Sequence, residues 1–393
     1  GRLARWAGAG RLARWAGAGR LARWADAWRR WRDARIADPD FQAWAARSPL
    51  TRPVVRRQSA ALYDLVAGFV YSQVLYAVVE LDLCQRLAGG AKTTDALAAE
   101  LGWPVDGVQR LCQAAAALDL LARLGDGRYG LGPLGPVLIG APGVAEMVRH
   151  HNLLYRDLAD PTALLSGRVK ETALSRFWAY VAEDEGAAAP AGTAAAYSRL
   201  MAASQTMVAA ETLATGALRG VRHLLDVGGG EGAFLAAALR ADPRLRGTVF
   251  DLAPVAGLAK TRLGEAGLAA RSAVVGGSFR TDHWPKGADA ISLIRVLYDH
   301  SDSTVAALLA SAFAALPPGG RIVISEPMSG GTRPTREGDA YFGLYTAAMT
   351  SGTPRALATH RTALEAAGFQ RIRALPAHQK VITRVVVGYK PSA

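Results

Sequence analysis

The sequence predicts a mostly helical region carrying a winged helix, followed by a doubly wound α/β domain. Three observations carry this expectation. From about residue 216 onward short apolar runs alternate with helical stretches, the pattern of a parallel sheet with helices on its faces. The first of those runs ends in a glycine-rich loop, Asp226-Val227-Gly228-Gly229-Gly230-Glu231-Gly232, which opens a helix at Ala233. Residues 93–135 read as helix, turn, helix and hairpin in close succession. The expected divisions are a basic arm at 1–50, the helical region at 51–215 and the α/β domain at 216–393.

The chain has 393 residues, half of them apolar, so a sizeable core is within reach. Its net charge of +13 is unevenly spread. Residues 1–57 hold 14 arginines against four acidic residues, which leaves the rest close to neutral. The arm opens with a nine-residue repeat: GRLARWAGA at 1–9 and 10–18, then GRLARWADA at 19–27. Nine residues turn a helix by about half a revolution, so successive Leu/Trp pairs alternate sides. From the third copy the pattern improves. Leu21, Trp24, Trp28 and Trp31 keep spacings of three and four, with Arg20, Arg23 and Arg30 turned away. A basic helix with tryptophans on its other face has the composition of a membrane-surface segment, and a solvated leader fits the same residues.

No uninterrupted run of about 18 apolar residues occurs, so no transmembrane helix is expected. A secretory signal is not expected either. The two cysteines, Cys84 and Cys112, lie far apart in apolar helical patterns, which fits a reduced cytoplasm and no cysteine-based metal site. The expected location is cytoplasmic, with the arm touching the inner membrane surface.

After Pro53 the chain reads as helical to about 215, with apolar spacing of three and four from Leu62 to Leu87. Thr93-Thr94-Asp95 caps a short helix, Val105 to Leu118 supplies a second, and Gly125-Asp126-Gly127 turns a hairpin. A winged helix raises the question of DNA binding. Its second helix offers a groove only Gln109, Arg110 and Gln113, beside Asp106 and Asp119, so no nucleic-acid partner is expected. Residues 182–196 read as a loop after Glu183-Asp184-Glu185, and a helix follows with Tyr197, Met201, Ser204 and Met207. The expected strands are His223–Val227, Gly247–Phe250, Ala273–Val275, Ala288–Ile294, Gly320–Ser325, Arg371–Leu375 and Val381–Val387, the last two as a hairpin.

The chemistry falls at the strand ends, where open α/β sheets bind ligands. Gly228 and Gly230 allow a tight turn and close approach of a ligand to the main chain. Asp226 can serve an amino-acid ammonium group. Asp251, about 20 residues on, can hydrogen-bond ribose hydroxyls, a feature shared with dinucleotide enzymes. Ser278 and Phe279 offer a hydroxyl and an aromatic face to an adenine. The fourth strand exits into Arg295-Val296-Leu297-Tyr298-Asp299-His300. The order D-V-G-G-G-x-G differs from G-x-G-x-x-G, which favours S-adenosyl-L-methionine over a dinucleotide.

With these motifs, residues from about 55 to 390 resemble the plant-type, or class II, S-adenosylmethionine-dependent O-methyltransferases, including a distal Glu326-Pro327-Met328. The resemblance implies a Rossmann-like methyltransferase domain and a winged-helix domain that makes a homodimer. It assigns cofactor contacts to Gly228, Asp251, Ser278, Phe279 and Arg295, although the family usually has Asp where Ser278 stands. The family's L-H-D-W histidine, its base toward phenols, is here Tyr298. A phenol titrates at about 10 and is a poor proton acceptor, so Tyr298 is expected to orient the acceptor hydroxyl. His300 would share its side in an extended segment and relay a proton. His150, His151 and His360 are further candidates, and no metal is expected.

Phe69, Tyr71, Tyr76, Met201, Met207, Tyr341, Phe342, Tyr345 and Met349 suggest a large apolar acceptor. A narrower resemblance, to bacterial carotenoid hydroxyl methyltransferases of the spheroidene pathway in purple photosynthetic bacteria, implies methylation of the 1-hydroxyl of an acyclic carotenoid such as hydroxyneurosporene or demethylspheroidene. A tyrosine at this position also resembles bacteriochlorophyllide C-methyltransferases, which implies a tetrapyrrole acceptor instead. A winged-helix regulator and an inert cofactor-binding scaffold are the readings outside the enzyme class.

Overall fold

The structure, a computed structural model, describes residues 21–182, 205–379 and 383–392. The first two copies of the repeat, residues 183–196 of the loop expected at 182–196, and Tyr197, Met201, Ser204 and Val381 lie outside the described residues, while Ala182 ends a helix.

One compact unit ends at Leu75 and the other begins at Tyr76. In the first, residues 21–37 form helix α1, Pro39–Arg47 form α2, and α3 runs Arg52–Glu80 across the division. Asp38 caps α2 by accepting the amides of Asp40 and Phe41 at 2.9 and 3.3 Å, with Pro39 at the first helical position. Leu21, Trp24, Trp28 and Trp31 are all exposed, so the stripe read from the sequence is a surface feature. Helix α3, at 29 residues, is long and apolar enough to cross a membrane by length and composition. Gly68, Ser72 and Gln73 interrupt its apolar run without charging it, so a search for unbroken runs passes over it. Its Leu62, Tyr63, Leu65, Val66 and Phe69 are exposed.

The second unit begins with the winged helix. Helix α4 (Leu83–Leu87) precedes α5 (Thr94–Leu101) and α6 (Val105–Ala117), and strands β1 (Leu121–Arg123) and β2 (Tyr129–Leu131) close the antiparallel wing. Thr93 Oγ1 accepts the Ala96 amide at 3.2 Å, the cap read from the sequence. Leu97, Val108, Cys112, Leu121 and Tyr129 bury the faces between these elements. Helices α7 (Gly135–Ile139), α8 (Pro142–Asp157), α9 (Pro161–Leu165) and α10 (Ala173–Ala182) follow, then α11 over residues 205–214.

The sheet has seven strands in the order β5-β4-β3-β6-β7-β9-β8. They are β3 His223–Val227, β4 Arg246–Asp251, β5 Ser272–Gly276, β6 Ala290–Ile294, β7 Arg321–Glu326, β8 Gln370–Leu375 and β9 Arg384–Tyr389. Six point the same way, β3 to β7 as parallel neighbours and β8 at the edge, and β9 inserts antiparallel between β7 and β8. The hairpin expected at the end is present, with its second strand later than Val381–Val387. Central β6 is buried at all five residues, because helices cover both faces: Leu293 faces one core cluster with Val305, Leu309 and Ile322, and Ile294 faces another with Leu235 and Leu263. The covering helices include α12 (Ala233–Ala241), α13 (Ala253–Glu265), α14 (Asp302–Ala315) and α16 (Leu357–Ala366). A π-helical turn at Arg336–Tyr341 leads into α15 (Phe342–Met349). The strand order reverses between β3 and β6, so the crevice for a ligand opens above their carboxyl ends.

Candidate active site

A cavity of about 750 Å³ opens at that crevice. Its wall includes Gly228, Gly230, Asp251, Ser278, Phe279, Arg295, Tyr298 and His300, eight residues singled out from the sequence.

The loop after β3 bends back over the sheet. Gly228 sits at φ +65°, and a Cβ there would lie 2.9 Å from Val296 Cγ2 and 3.5 Å from Phe279 Cε1. Any larger residue would be strained and would close the gap between the loop and the Phe279 ring. Asp251, at the end of β4, holds the loop from the other side. Its Oδ2 accepts the Gly230 amide and its Oδ1 accepts the Leu252 amide, each at 2.7 Å. Burial pushes its carboxyl above the usual range, with the two amides opposing.

Asp226 has a different place from the one its motif suggested. It is fully buried beneath the loop and is absent from the cavity wall. Ser292 Oγ donates to its Oδ1 at 2.6 Å, while Oδ2 has no hydrogen-bond partner among the described residues. A Cβ on Gly229 would meet that oxygen at 2.7 Å. Burial pushes the Asp226 carboxyl up to about 7.

Past β5, the Ser278 amide donates to Asp282 Oδ2 at 2.8 Å and Trp284 Nε1 donates to the Phe279 carbonyl at 2.9 Å. These bonds fix the Phe279 ring toward the glycine loop. Arg295, past β6, adopts φ +58°, a conformation that costs a non-glycine residue on the order of 1–3 kcal/mol. Its amide donates to the Ser325 carbonyl at 2.8 Å, and its buried guanidinium lies 3.5 Å from the Tyr298 hydroxyl.

Leu297–Asp299 is a 3₁₀ turn, which corrects the extended segment expected here. At about three residues per turn, positions two apart do not share a side. The Tyr298 ring accordingly meets Phe342 edge-on at 6.1 Å, whereas the His300 ring packs 5.6 Å from Phe279. His300 Nδ1 is 2.5 Å from Asp299 Oδ1, and its buried Nε2 has no partner among the described residues. Burial pushes the Tyr298 phenol above 10, and the neighbouring Arg295 charge only partly offsets this. Tyr298 is therefore not ionised near neutral pH and works as a neutral hydroxyl.

Two clamps hold this turn, and the sequence reading missed both. Glu326 Oε2, at the end of β7, accepts the Leu297 and Tyr298 amides at 3.0 and 3.1 Å. Arg355 donates to the carbonyls of Leu297 and His300, each at 2.7 Å, and bonds Asp302. The acidic strand end was visible as Glu326-Pro327-Met328; nothing local marks its reach back to residue 297. His360 is fully buried with its Nε2 3.1 Å from Glu326 Oε1, an approach too misaligned for a hydrogen bond.

Of the apolar acceptor residues expected, Met349 lines the cavity. Tyr76 and Met207 are half-buried away from it, and Tyr341, Phe342 and Tyr345 stand behind Met349 and Tyr298. Phe69 is exposed on α3.

A loop of glycines, a carboxylate at the second strand end, a hydroxyl and aromatic ring at the third, and one neutral phenol beside an arginine at the fourth suit an adenosyl amino acid. Comparison with known proteins agrees. Residues 155–370 match the O-methyltransferase domain and residues 63–140 the O-methyltransferase dimerisation domain. The sequence is 50% identical to demethylspheroidene O-methyltransferase of Cereibacter sphaeroides over 352 residues, 90% of this chain and 92% of the relative. It is 46% identical to the protein of the same name from Rhodobacter capsulatus, over 86% of this chain and 84% of the relative. The S-adenosylmethionine-dependent methyltransferase SibL in its apo form superposes with a TM-score of 0.72 at 25% identity, over 84% of this chain and 99% of that one.

Proposed function

This chain belongs to the O-methyltransferase family, and from that we propose that it moves the methyl group of S-adenosyl-L-methionine to the 1-hydroxyl of an acyclic carotenoid of the demethylspheroidene or hydroxyneurosporene type, in spheroidene biosynthesis. The observation that carries the acceptor is the 50% identity to a demethylspheroidene O-methyltransferase across nine-tenths of the chain. Supporting it, the site offers neutral hydroxyls and no histidine at position 298, which suits an alcohol better than an acidic phenol.

The residues present fit the cofactor. Gly228 and Gly230 leave the main chain open to it, Asp251 is set for ribose hydroxyls, and Ser278, Phe279 and His300 make a polar and aromatic corner for the adenine. When bound, the cofactor supplies an electrophilic methyl on a sulfonium. Tyr298 orients the acceptor hydroxyl, held in register by Glu326 and Arg355, and Arg295 fixes the phenol in turn. Catalysis then rests mainly on proximity and alignment. On this assignment His300 works on the cofactor side. Asp226 lies buried beneath the loop and outside the cavity wall, so the cofactor's ammonium group is not assigned to it.

The dimerisation-domain match supports a homodimer, and the exposed apolar face of α3, where that match begins, is the surface a second copy would cover. The arm, with exposed Leu21, Trp24, Trp28 and Trp31, would park the enzyme on the inner face of a photosynthetic membrane where such acceptors dissolve. In this reading residues 1–50 are the arm, 51–215 the helical dimerisation and acceptor region and 216–393 the catalytic domain.

The deciding experiment supplies labelled S-adenosylmethionine with a hydroxylated acyclic carotenoid in detergent. Label appearing in the carotenoid as a methyl ether is expected; label in an added chlorophyll precursor and none in the carotenoid would overturn the acceptor. Removal of residues 1–45 is expected to weaken pelleting with anionic liposomes and to leave cofactor affinity intact, and unchanged pelleting would end the membrane reading.

A further inference from the structure

The turn after β6 brings two consecutive side chains, Asp299 and His300, to the cavity wall, and they act on each other. His300 Nδ1 lies 2.5 Å from Asp299 Oδ1, while Nε2 is buried and has no hydrogen-bond partner among the described residues. A carboxylate only accepts hydrogen bonds, so the proton of the uncharged ring sits on Nδ1 and Nε2 keeps its lone pair. Asp299 thereby makes His300 an acceptor at Nε2. A buried acceptor without a partner costs free energy, and a ligand that donates to it removes that cost.

The rest of the wall indicates which part of the cofactor comes near. Asp251 ends β4, the strand end at which ribose hydroxyls are held in sheets of this kind, so the base lies beyond it toward the end of β5. There the Phe279 and His300 rings stand 5.6 Å apart, and Val255 and Leu258 of α13 supply apolar wall. Rings this close admit no base between them, so the adenine lies beside the pair, within reach of the nitrogen. Nearby acceptors are engaged. Ser278 Oγ accepts the Arg280 amide at 3.3 Å, and Asp282 Oδ2 accepts the Ser278 amide at 2.8 Å.

We propose that His300 Nε2 accepts a hydrogen bond from the 6-amino group of the adenine, with Asp299 as the positioning residue that holds the ring in its accepting tautomer. The pair makes the donor site selective for adenine over hypoxanthine, in which a carbonyl oxygen replaces the amine. Two lone pairs would then face each other in a buried setting. A site built around one hydrogen bond rejects the analogue that cannot make it. This deepens the cofactor assignment and does not depend on the acceptor.

Calorimetric titration at pH 8 compares S-adenosylhomocysteine with S-inosylhomocysteine, its deaminated counterpart; neither carries a methyl to transfer. The wild-type protein is expected to prefer the adenine form by at least about tenfold, the scale of one buried hydrogen bond. His300→Phe keeps a ring beside Phe279 and removes the acceptor, and the preference should fall to within about threefold. The amide of Asp299→Asn can donate to Nδ1, which lets Nε2 carry the proton. The preference should fall there too, although the imidazole remains. A ring that serves packing alone would lower both affinities together and leave their ratio unchanged in the variants, and that result would overturn the proposal. A wild-type protein that binds the two equally, or prefers the inosine form, would overturn it as well, since a ring donating from Nε2 behaves that way. That arm stands whether or not the variants fold. Loss of kcat in His300→Phe at an unchanged ratio would put His300 at the reacting end and defeat the assignment.

Discussion

Ser292 donates a 2.6 Å hydrogen bond to the carboxylate of Asp226, and that bond is the one recorded for this fully buried acid among the described residues. It does not outweigh burial, which pushes the carboxyl up to about 7. The folded state thus holds its proton more tightly than the unfolded chain, whose aspartates titrate near 4. The stabilisation is present below that lower value and is lost as pH rises toward 7. The unfolding free energy should fall by up to about 4 kcal/mol across that interval through this group, and Asp226→Asn should remove that part of the slope. Urea unfolding at pH 5 and pH 8 on both proteins checks this; parallel pH profiles would refute it.

Gly228→Ala places a methyl 2.9 Å from Val296 at a positive φ. The expected result is a folded protein whose S-adenosylhomocysteine affinity falls at least tenfold. Val296→Ala added to it should recover only part of the loss, since it relieves the contact and leaves the backbone strain of about 1 kcal/mol. Calorimetric titration of the single and double variants measures both terms.

Glu326 supplies one oxygen to two backbone amides in a fully buried setting. Glu326→Ala leaves both donors unsatisfied and should destabilise by about 3 kcal/mol or more, with kcat falling as the Tyr298 turn loosens. Glu326→Gln retains a carbonyl acceptor and should recover most of the stability. Equal loss in the two variants, by denaturant unfolding, would mean the carboxylate charge matters rather than the acceptor.

Tyr298 should behave as a neutral hydroxyl at every working pH, because burial raises its phenol beyond 10. Tyr298→Phe is expected to lower kcat/KM for the acceptor by about tenfold, the scale of one lost hydrogen bond, without moving either limb of the pH–rate profile. A variant that lost an alkaline limb between pH 8 and 9 would contradict this.

The sequence carried a good part of the site because its signals are local. A strand of five apolar-flanked residues, a loop of glycines and a helix start are contiguous, so backbone freedom at Gly228 and Gly230 could be read directly. Asp251, Ser278 and Phe279 followed from repetition of the same strand-to-loop unit. The winged helix was legible for the same reason, through the Thr93 cap and the turn at Gly125-Asp126-Gly127.

The sequence by itself thus determined the fold class, the cofactor loop and the absence of histidine at position 298. Tertiary structure decided what surrounds that tyrosine. Whether residues 297–299 run extended or wind into a 3₁₀ turn depends on Glu326 and Arg355, which are 29 and 58 residues from Leu297. The meeting of His150 with Tyr345 spans 195 residues and depends on α8 packing against α15. Even Asp226, adjacent to the glycines, took its place from burial, because no spacing rule says which side of a sheet end a carboxylate will face. Local backbone preferences are written in neighbouring residues; solvation and hydrogen-bond partners are set by whatever the fold brings alongside.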